Sequence, residues 1–114
     1  MTNQSDSIIL IGPMGSGKTS SGRILAKEMG HAFADTDEEV VQRTGVSIAY
    51  IFDVEGEEGF REREHQALKR LIEKQNTVVA TGGGIVAYYK SRIIIQERKN
   101  VVYLKTSIDR QIER

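Results

Sequence analysis

The sequence predicts an α/β fold of three layers, in which helices cover both faces of a central parallel sheet. Short apolar runs alternate with segments of helical period, in the order strand, helix, strand, successive helices, strand, helix, strand, helix. Continuous apolar runs such as Ile8–Ile11 and Val101–Leu104 are typical of parallel strands that are buried on both faces. Strands joined through helices pair in parallel with right-handed crossovers, so one such sheet is expected.

The composition is that of one globular domain, residues 1–114. Charged residues make up 28% of the chain and hydrophobic residues 39%, which excludes a disordered protein. Sixteen basic and sixteen acidic residues cancel, which argues against a broad nucleic-acid surface, and the absence of cysteine excludes disulfides and thiolate metal sites. No apolar run suits a membrane span, and Met1–Ser7 lacks the apolar segment of a secretory signal. We expect a cytoplasmic monomer that binds neither membranes nor nucleic acid.

The first strand leads into a phosphate-binding motif of the form G-x-x-x-x-G-K-[ST], the P-loop, at Gly12–Thr19. Its glycines let the backbone N–H groups form a nest for nucleotide phosphates, and the helix at Ser20–Met29 adds its positive N-terminal end. Lys18 places a charge on the β- and γ-phosphates, and the Thr19 hydroxyl can bind Mg²⁺. Gly30 is a fitting end for this helix.

Two acidic residues follow the second strand. The strand is predicted at His31–Ala34 and runs into Asp35 and Asp37, before a helix at Glu38–Thr44. One acid could simply cap that helix, which would account for one carboxylate but not for both. Because open α/β sheets bind ligands at the carboxyl ends of their strands, we expect at least one of the two to have a functional role.

Further helices are predicted from apolar spacing and capping residues. Ser47 caps a helix at Ile48–Val54, and an acidic turn at Glu55–Gly59 precedes a longer helix at Phe60–Lys74. A further helix is predicted at Ser91–Lys99, and Thr106 or Ser107 caps the last one.

Arg61 and Glu64 form an i,i+3 pair on the longest of these helices. The spacing leaves two interpretations open, and by itself it favours a surface ion pair of small energy over an arginine that is braced to hold a ligand. His65 is expected to be a satisfied helix residue rather than a metal ligand, because the only other histidine, His31, is not at metal-binding spacing.

Three glycines follow the third strand. The strand is predicted at Thr77–Thr81 and runs directly into Gly82–Gly84. Such a run weakens the local structure but suits a place where a ligand approaches the backbone closely; a flexible turn is the alternative. For Tyr88 and Tyr89 we favour packing over a substrate wall.

The chain resembles the shikimate kinases, P-loop enzymes related to the nucleoside monophosphate kinases. The P-loop alone is widely shared, whereas the later blocks are much more specific in this order and spacing. These blocks are Asp35-Thr36-Asp37, Arg43-Thr44-Gly45, Ile51-Phe52, Gly56-Glu57-Glu58-Gly59-Phe60-Arg61 with Glu64, and Ala80-Thr81-Gly82-Gly83-Gly84. The resemblance implies transfer of the γ-phosphoryl group of ATP to the 3-hydroxyl of shikimate with Mg²⁺, in the pathway to chorismate and the aromatic amino acids.

The resemblance also implies a role for individual residues. The ATP-binding set is Gly15, Ser16, Gly17, Lys18, Thr19 and Ser20 at the phosphates, with Arg114 against the adenine. Thr19 and Asp35 would hold Mg²⁺. Asp37 would bind the shikimate hydroxyls and accept a proton, so that it and Lys18 are the catalytic residues. Arg61, oriented by Glu64, would grip the shikimate carboxylate, and Gly82, Gly83 and Gly84 would touch the substrate.

The family continues beyond position 114, so the resemblance covers its N-terminal two-thirds. We therefore expect a P-loop kinase fold that is incomplete at the C-terminus, without the mobile lid and one edge strand, and of low stability. Three alternatives remain: a kinase of the same fold for another small metabolite such as gluconate, a P-loop module that binds a nucleotide without an acceptor, and a catalytically silent fragment. The glycine triplet and the Phe60-Arg61 block favour shikimate.

Overall fold

The computed structural model describes residues 7–13 and 17–104. The elements in chain order are β1 (Ile8–Ile11), α1 (Lys18–Met29), β2 (Ala32–Asp35), α2 (Thr36–Thr44), α3 (Ile48–Ile72), β3 (Thr77–Ala80), a 3₁₀ turn (Ile85–Ala87), α4 (Tyr89–Gln96) and β4 (Val101–Tyr103). The predicted order of strands and helices is confirmed over this part of the chain. The predictions for Gly15, Ser16, Arg114 and the helix from Thr106 or Ser107 lie outside the described residues.

The four described strands form one parallel sheet in the order β2-β3-β1-β4. In the middle of the sheet, Ile9 of β1 is in register with Val79 on one side and with Val101 on the other. All carboxyl ends lie at one edge, so the segments that follow β1, β2 and β3 meet there. β4 flanks the described sheet, and its residues Val102 and Tyr103 are exposed.

Helices pack on both faces of the sheet, which confirms the three-layer α/β fold. Neighbouring residues of a strand point to opposite faces. Leu10 packs with Ala26 of α1, whereas Ile9 packs with Leu68 of α3 and Ile95 of α4. No helix among the described residues combines the length and apolarity needed to cross a bilayer.

Small residues rather than large ones bring α1 onto the sheet. Ile24 and Met29 are exposed, while Gly22 and Ala26 are buried. A Cβ atom at Gly22 would lie 2.6 Å from the ring of Phe33, so only glycine permits this close approach. The tight packing holds the start of α1, where the phosphate loop ends, near the strand ends.

The predicted break between two helices at Glu55–Gly59 is confirmed, but it is confined to one residue rather than spread over an acidic turn. Within α3 (Ile48–Ile72) only Gly56 departs from helical geometry (φ 78°, ψ 178°), and two helical stretches meet at this kink. Glycine reaches this positive φ without steric cost, so one residue is enough to kink the helix. Ser47 caps α3 as predicted, since its side chain accepts a hydrogen bond from the backbone N–H of Tyr50 (3.1 Å).

Candidate active site

Lys18 lies at the start of α1 and folds back over the loop that follows β1. Gly17, in the left-handed conformation (φ 87°), turns the chain into the helix. The Lys18 ammonium donates hydrogen bonds to the carbonyl oxygens of Gly12 (2.5 Å) and Pro13 (3.0 Å). Burial lowers its pKa, although the charge of Asp37 opposes this effect. The cation is therefore held against the first residues of the phosphate loop.

The predicted phosphate, metal and acceptor residues meet in one cleft of about 240 Å³ at the carboxyl edge of the sheet. Thr19 and Ser20, in the first turn of α1, are exposed on one side of it. The lining residues are Gly17, Lys18, Thr19, Ser20, Asp35, Asp37, Thr81, Gly82 and Gly83. Arg61 and Gly84 do not line this cleft; they adjoin it through the contacts described below.

Asp35 caps α2 with one carboxylate oxygen and faces the phosphate loop with the other. Its Oδ1 accepts hydrogen bonds from the backbone N–H groups of Asp37 (2.8 Å) and Glu38 (3.2 Å), so the capping interpretation holds for this acid. Its Oδ2 accepts a hydrogen bond from the Thr19 hydroxyl at 3.2 Å. One residue thus contributes to the helix and to the cleft.

A hydroxyl and a carboxylate oxygen side by side are hard oxygen ligands of the kind that Mg²⁺ prefers. Residues 7–13 and 17–104 contain no group of three or more acidic or histidine side chains that could enclose a metal ion. Mg²⁺ is commonly held by one or two protein ligands together with water and substrate phosphates. Thr19 and Asp35 therefore fit Mg²⁺ that arrives with a nucleotide.

Asp37 presents a half-buried carboxylate to the cleft. Its Oδ1 is enclosed but has no hydrogen-bond partner in the part of the chain that the structure describes. Burial raises its pKa above the usual range and the charge of Asp35 adds to this, while Lys18 and Arg61 oppose it. An enclosed acceptor without a donor suits a ligand hydroxyl.

Arg61 and Glu64 form a buried pair, so the surface ion pair that the spacing favoured is wrong. Arg61 Nη1 donates to Glu64 Oε1 at 3.0 Å, and the two side chains are 18% and 1% exposed. Glu64 is buried because it lies on the same face of α3 as the core residue Phe60. Burial raises the pKa of Glu64 to about 7, and Asp37 adds to the rise, against the attraction of Arg61.

The glycines after β3 allow these side chains to approach the backbone. A Cβ atom at Gly82 would lie 2.9 Å from Asp37 Oδ1 and would also overlap Glu64 Oε2. At Gly84 it would lie 2.8 Å from the Arg61 guanidinium carbon. The close approach expected of a ligand is thus made by the protein's own side chains, which places Arg61, Glu64 and Asp37 around one short stretch of backbone.

Thr36 is a site residue whose role the sequence reasoning missed. It is fully buried between the two acids, and its hydroxyl accepts a hydrogen bond from the Gly82 N–H at 3.1 Å. This bond ties the start of α2 to the glycine segment. The available signal was a hydroxyl residue between Asp35 and Asp37 at the end of a strand.

Tyr88 packs as expected, whereas Tyr89 is 56% exposed, so the packing expected of Tyr89 is wrong. The Tyr88 hydroxyl has a partner that the sequence did not indicate. The hydroxyl donates to Glu62 Oε1 of α3 at 2.6 Å. Its ring makes an edge contact with His65 at a centroid distance of 6.0 Å. His65 is buried, with Nδ1 3.2 Å from the Ser91 hydroxyl, which confirms that it is a satisfied helix residue.

Comparisons with known proteins agree on one family. A family model described as "Shikimate kinase" matches residues 14–114. A shikimate kinase of Legionella pneumophila (strain Corby) is 51% identical over 107 residues, which are 94% of this chain and 61% of the relative. "Shikimate kinase 1" of Yersinia pestis (strain Pestoides F) is 49% identical over 107 residues, 94% of this chain and 62% of the relative.

Solved structures agree with these relatives. A shikimate kinase from Acinetobacter baumannii in complex with shikimate is similar with a TM-score of 0.87 and 44% identity, over 96% of this chain and 62% of that one. A shikimate kinase from Aquifex aeolicus vf5 is similar with a TM-score of 0.83 and 40% identity, over 95% of this chain and 64% of that one. The chain spans about three fifths of the length of the curated relatives it matches.

Proposed function

Because the chain belongs to the shikimate kinase family, we propose that this protein transfers the γ-phosphoryl group of ATP to the 3-hydroxyl of shikimate, giving shikimate 3-phosphate and ADP. The observation that carries the proposal is the packing of Arg61, Glu64 and Asp37 against the glycine segment beside the Lys18 loop. The Arg61 guanidinium, the Asp37 carboxylate, which can accept a hydrogen bond from a ligand hydroxyl, and the phosphate loop therefore lie next to one another. The similar structure that contains shikimate supports shikimate as the acceptor.

The phosphate loop would bind ATP. Its backbone N–H groups and the N-terminal end of α1 favour the negative phosphates, and Lys18 would exchange its two loop carbonyls for the β- and γ-phosphates. We assign the phosphates to the motif residues and the adenine to Arg114, on the basis of the family resemblance. The phosphate-binding residues are Gly15, Ser16, Gly17, Lys18, Thr19 and Ser20.

We assign Mg²⁺ to Thr19 and Asp35, whose adjacent oxygens fit it. When bound, Mg²⁺ neutralises charge on the β- and γ-phosphates. The cap that Asp35 makes on α2 holds its carboxylate in place, so the ligand is already oriented before the nucleotide arrives. This positioning is the contribution of the chain itself.

Arg61 would bind the shikimate carboxylate. Its Nη1 is held by Glu64 at 3.0 Å, whereas Nη2 makes only a long contact of 3.5 Å with the exposed Glu57, which a ligand carboxylate can replace. An oriented guanidinium with an available N–H suits the planar recognition of a carboxylate. Glu64 thereby fixes the direction of the arginine, and Gly82–Gly84 form the backbone wall beside it.

Asp37 would act on the attacking hydroxyl. As the bond from the shikimate 3-oxygen to the γ-phosphorus forms and the bond from that phosphorus to ADP breaks, the hydroxyl proton passes to the Asp37 carboxylate. The pKa of Asp37 is raised by burial, which makes its ionised form a better proton acceptor than an exposed aspartate. Lys18 stabilises the charge on the transferring group.

We further propose that the protein acts as a monomer in the cytoplasm, as one domain over residues 1–114, without nucleic-acid or membrane partners. Equal numbers of acidic and basic residues support the absence of a nucleic-acid surface, and the lack of cysteine fits a reducing compartment. The described strands form one sheet with helices packed on both faces, which supports one domain.

The test is a coupled assay of ADP release, with and without shikimate, on protein of verified intact mass. We expect turnover that depends on shikimate and not on gluconate. Lys18→Ala should abolish it, and Arg61→Ala should weaken shikimate use far more than ATP use. Arg63→Ala is the matched control, because Arg63 lies exposed on the same helix and pairs with Glu55. ATP hydrolysis that shikimate does not affect would favour a nucleotide-binding module, and dependence on gluconate would reverse the choice of acceptor.

A further inference from the structure

The segment that follows the glycines is fastened to α3 by side chains. Ile85 is buried against the core, after which Tyr88 donates its hydroxyl proton to Glu62 Oε1 at 2.6 Å. Lys90 reaches the same oxygen at 3.2 Å, and Ser91 lies 3.2 Å from His65. The shortest of these contacts, and the one nearest the glycines, is the bond from Tyr88.

Glu62 is itself held in place to receive this bond. Gln66, one turn further along α3, donates to Glu62 Oε2 at 2.9 Å, so each carboxylate oxygen has a donor. The bond from Tyr88 is the main cause that lowers the pKa of Glu62 to about 2, so the carboxylate is ionised near neutral pH. A hydrogen bond to an ionised acceptor is stronger than one between neutral groups.

Both partners of the Tyr88–Glu62 hydrogen bond lie close to the contact between Arg61 and Gly84. Along α3, Glu62 is the residue after Arg61. Along the other segment, the carbonyl oxygen of Gly84 accepts a hydrogen bond from the Ala87 N–H (3.0 Å), immediately before Tyr88. The guanidinium of Arg61 rests on Gly84 itself. The bond therefore bridges the two backbones that enclose this guanidinium.

We propose that Tyr88 and Glu62 are positioning residues: their hydrogen bond holds the glycine segment at a fixed distance from Arg61 and so sets the affinity for the carboxylate-bearing acceptor. That the ligand is a carboxylate-bearing acceptor rests on the proposed function. Neither side chain lines the cleft of the phosphate loop, so the nucleotide should not sense their loss. This selectivity separates a positioning role from a general contribution to stability.

The first test compares Tyr88→Phe with Tyr89→Phe by calorimetric titration with shikimate and with a non-hydrolysable ATP analogue. Tyr89 is the matched control because this neighbouring residue is 56% exposed and the same substitution removes only its hydroxyl. We expect Tyr88→Phe to weaken shikimate binding about tenfold, the usual effect of losing a hydrogen bond to a charged group, and to leave analogue binding within about twofold. Glu62→Gln and the variant that combines it with Tyr88→Phe complete a double-mutant cycle. The shikimate affinity of the double variant should fall no further than that of the more affected single variant.

The second test needs no ligand. Hydrogen exchange of the Ile85 and Ala87 amides, which donate to Gly82 and Gly84, reports on the glycine segment directly. We expect faster exchange in Tyr88→Phe than in Tyr89→Phe. Equal exchange in the two variants, equal shikimate affinity, additive losses in the cycle, or equal loss of both ligands would overturn the inference. A parent protein that does not bind shikimate would refute the proposed function, and the exchange rates alone would then decide whether Tyr88 positions the segment.

Discussion

Replacing Glu64 by Gln should stabilise the protein above neutral pH and leave its stability near pH 4.5 almost unchanged. Glu64 is 1% exposed, and its pKa is raised to about 7 from an ordinary value of 4.5, chiefly by burial. Between these two values the folded state binds more protons than the unfolded state, so the stability of the parent falls as pH rises. Gln carries no charge and keeps an oxygen for Arg61 Nη1, so it avoids this loss.

The expected size follows from the shift. At 1.36 kcal/mol per unit, the change from 4.5 to about 7 corresponds to about 3 kcal/mol. The difference in unfolding free energy between Glu64→Gln and the parent should grow from pH 4.5 to pH 7 and level off above that range. This is a large share of the total stability of an ordinary domain.

Urea unfolding of both proteins, from about pH 4.5 to about pH 8.5, measures this difference because the midpoints shift while the slope stays constant. Glu62→Gln is the control: the pKa of Glu62 is lowered to about 2, so its effect should not vary above about pH 5.5. A Glu64→Gln difference that is flat or shrinks with rising pH would show that Glu64 is ionised when folded. The Arg61 pair would then outweigh the cost of burial.

Three further outcomes are expected. In Gly84→Ala, the new methyl group meets the Arg61 guanidinium, so shikimate affinity should fall at least about tenfold in calorimetric titration while ATP-analogue affinity stays within about twofold; equal losses would contradict this. Asp35→Ala removes the α2 cap and should cost about 0.5–2 kcal/mol in ligand-free urea unfolding, so an unchanged midpoint would show that the cap is dispensable. Because β4 exposes Val102 and Tyr103, the 114-residue chain should show no cooperative calorimetric transition near or above about 50 °C, in the ordinary range for domains, and such a transition would speak against low stability.

The succession of strands and helices was predictable because apolar runs and helical periods are local signals. The order of strands was not, since nothing local in Ile8–Ile11 says that β1 lies between β3 and β4. The helix surface facing the sheet was also hidden at α1, because Gly22 and Ala26 carry the contact while the larger Ile24 is exposed. Hydrophobic spacing identifies a helix better than it identifies the buried side of one.

In the candidate site, the motif residues were predictable and their environment was only partly so. Spacing identified the Arg61–Glu64 pair. Glu64 lies one turn after the apolar Phe60, which indicated that its side chain is buried, but the small energy typical of i,i+3 pairs favoured an exposed ion pair. The bond between Tyr88 and Glu62 could not be predicted, because it joins residues 26 positions apart and follows no periodic pattern. Contacts of this kind arise only from how the elements pack.

The strand order has a consequence for how the protein is made. β1 is synthesised first, but its partners Val78 and Val101 come much later in the chain. At about 5–20 residues per second, the apolar run of β1 waits several seconds for its neighbours. Such long-range pairing is slow, and an unpaired strand is prone to aggregate in the meantime. The strand that leads into the phosphate loop is therefore synthesised well before the two strands between which it lies.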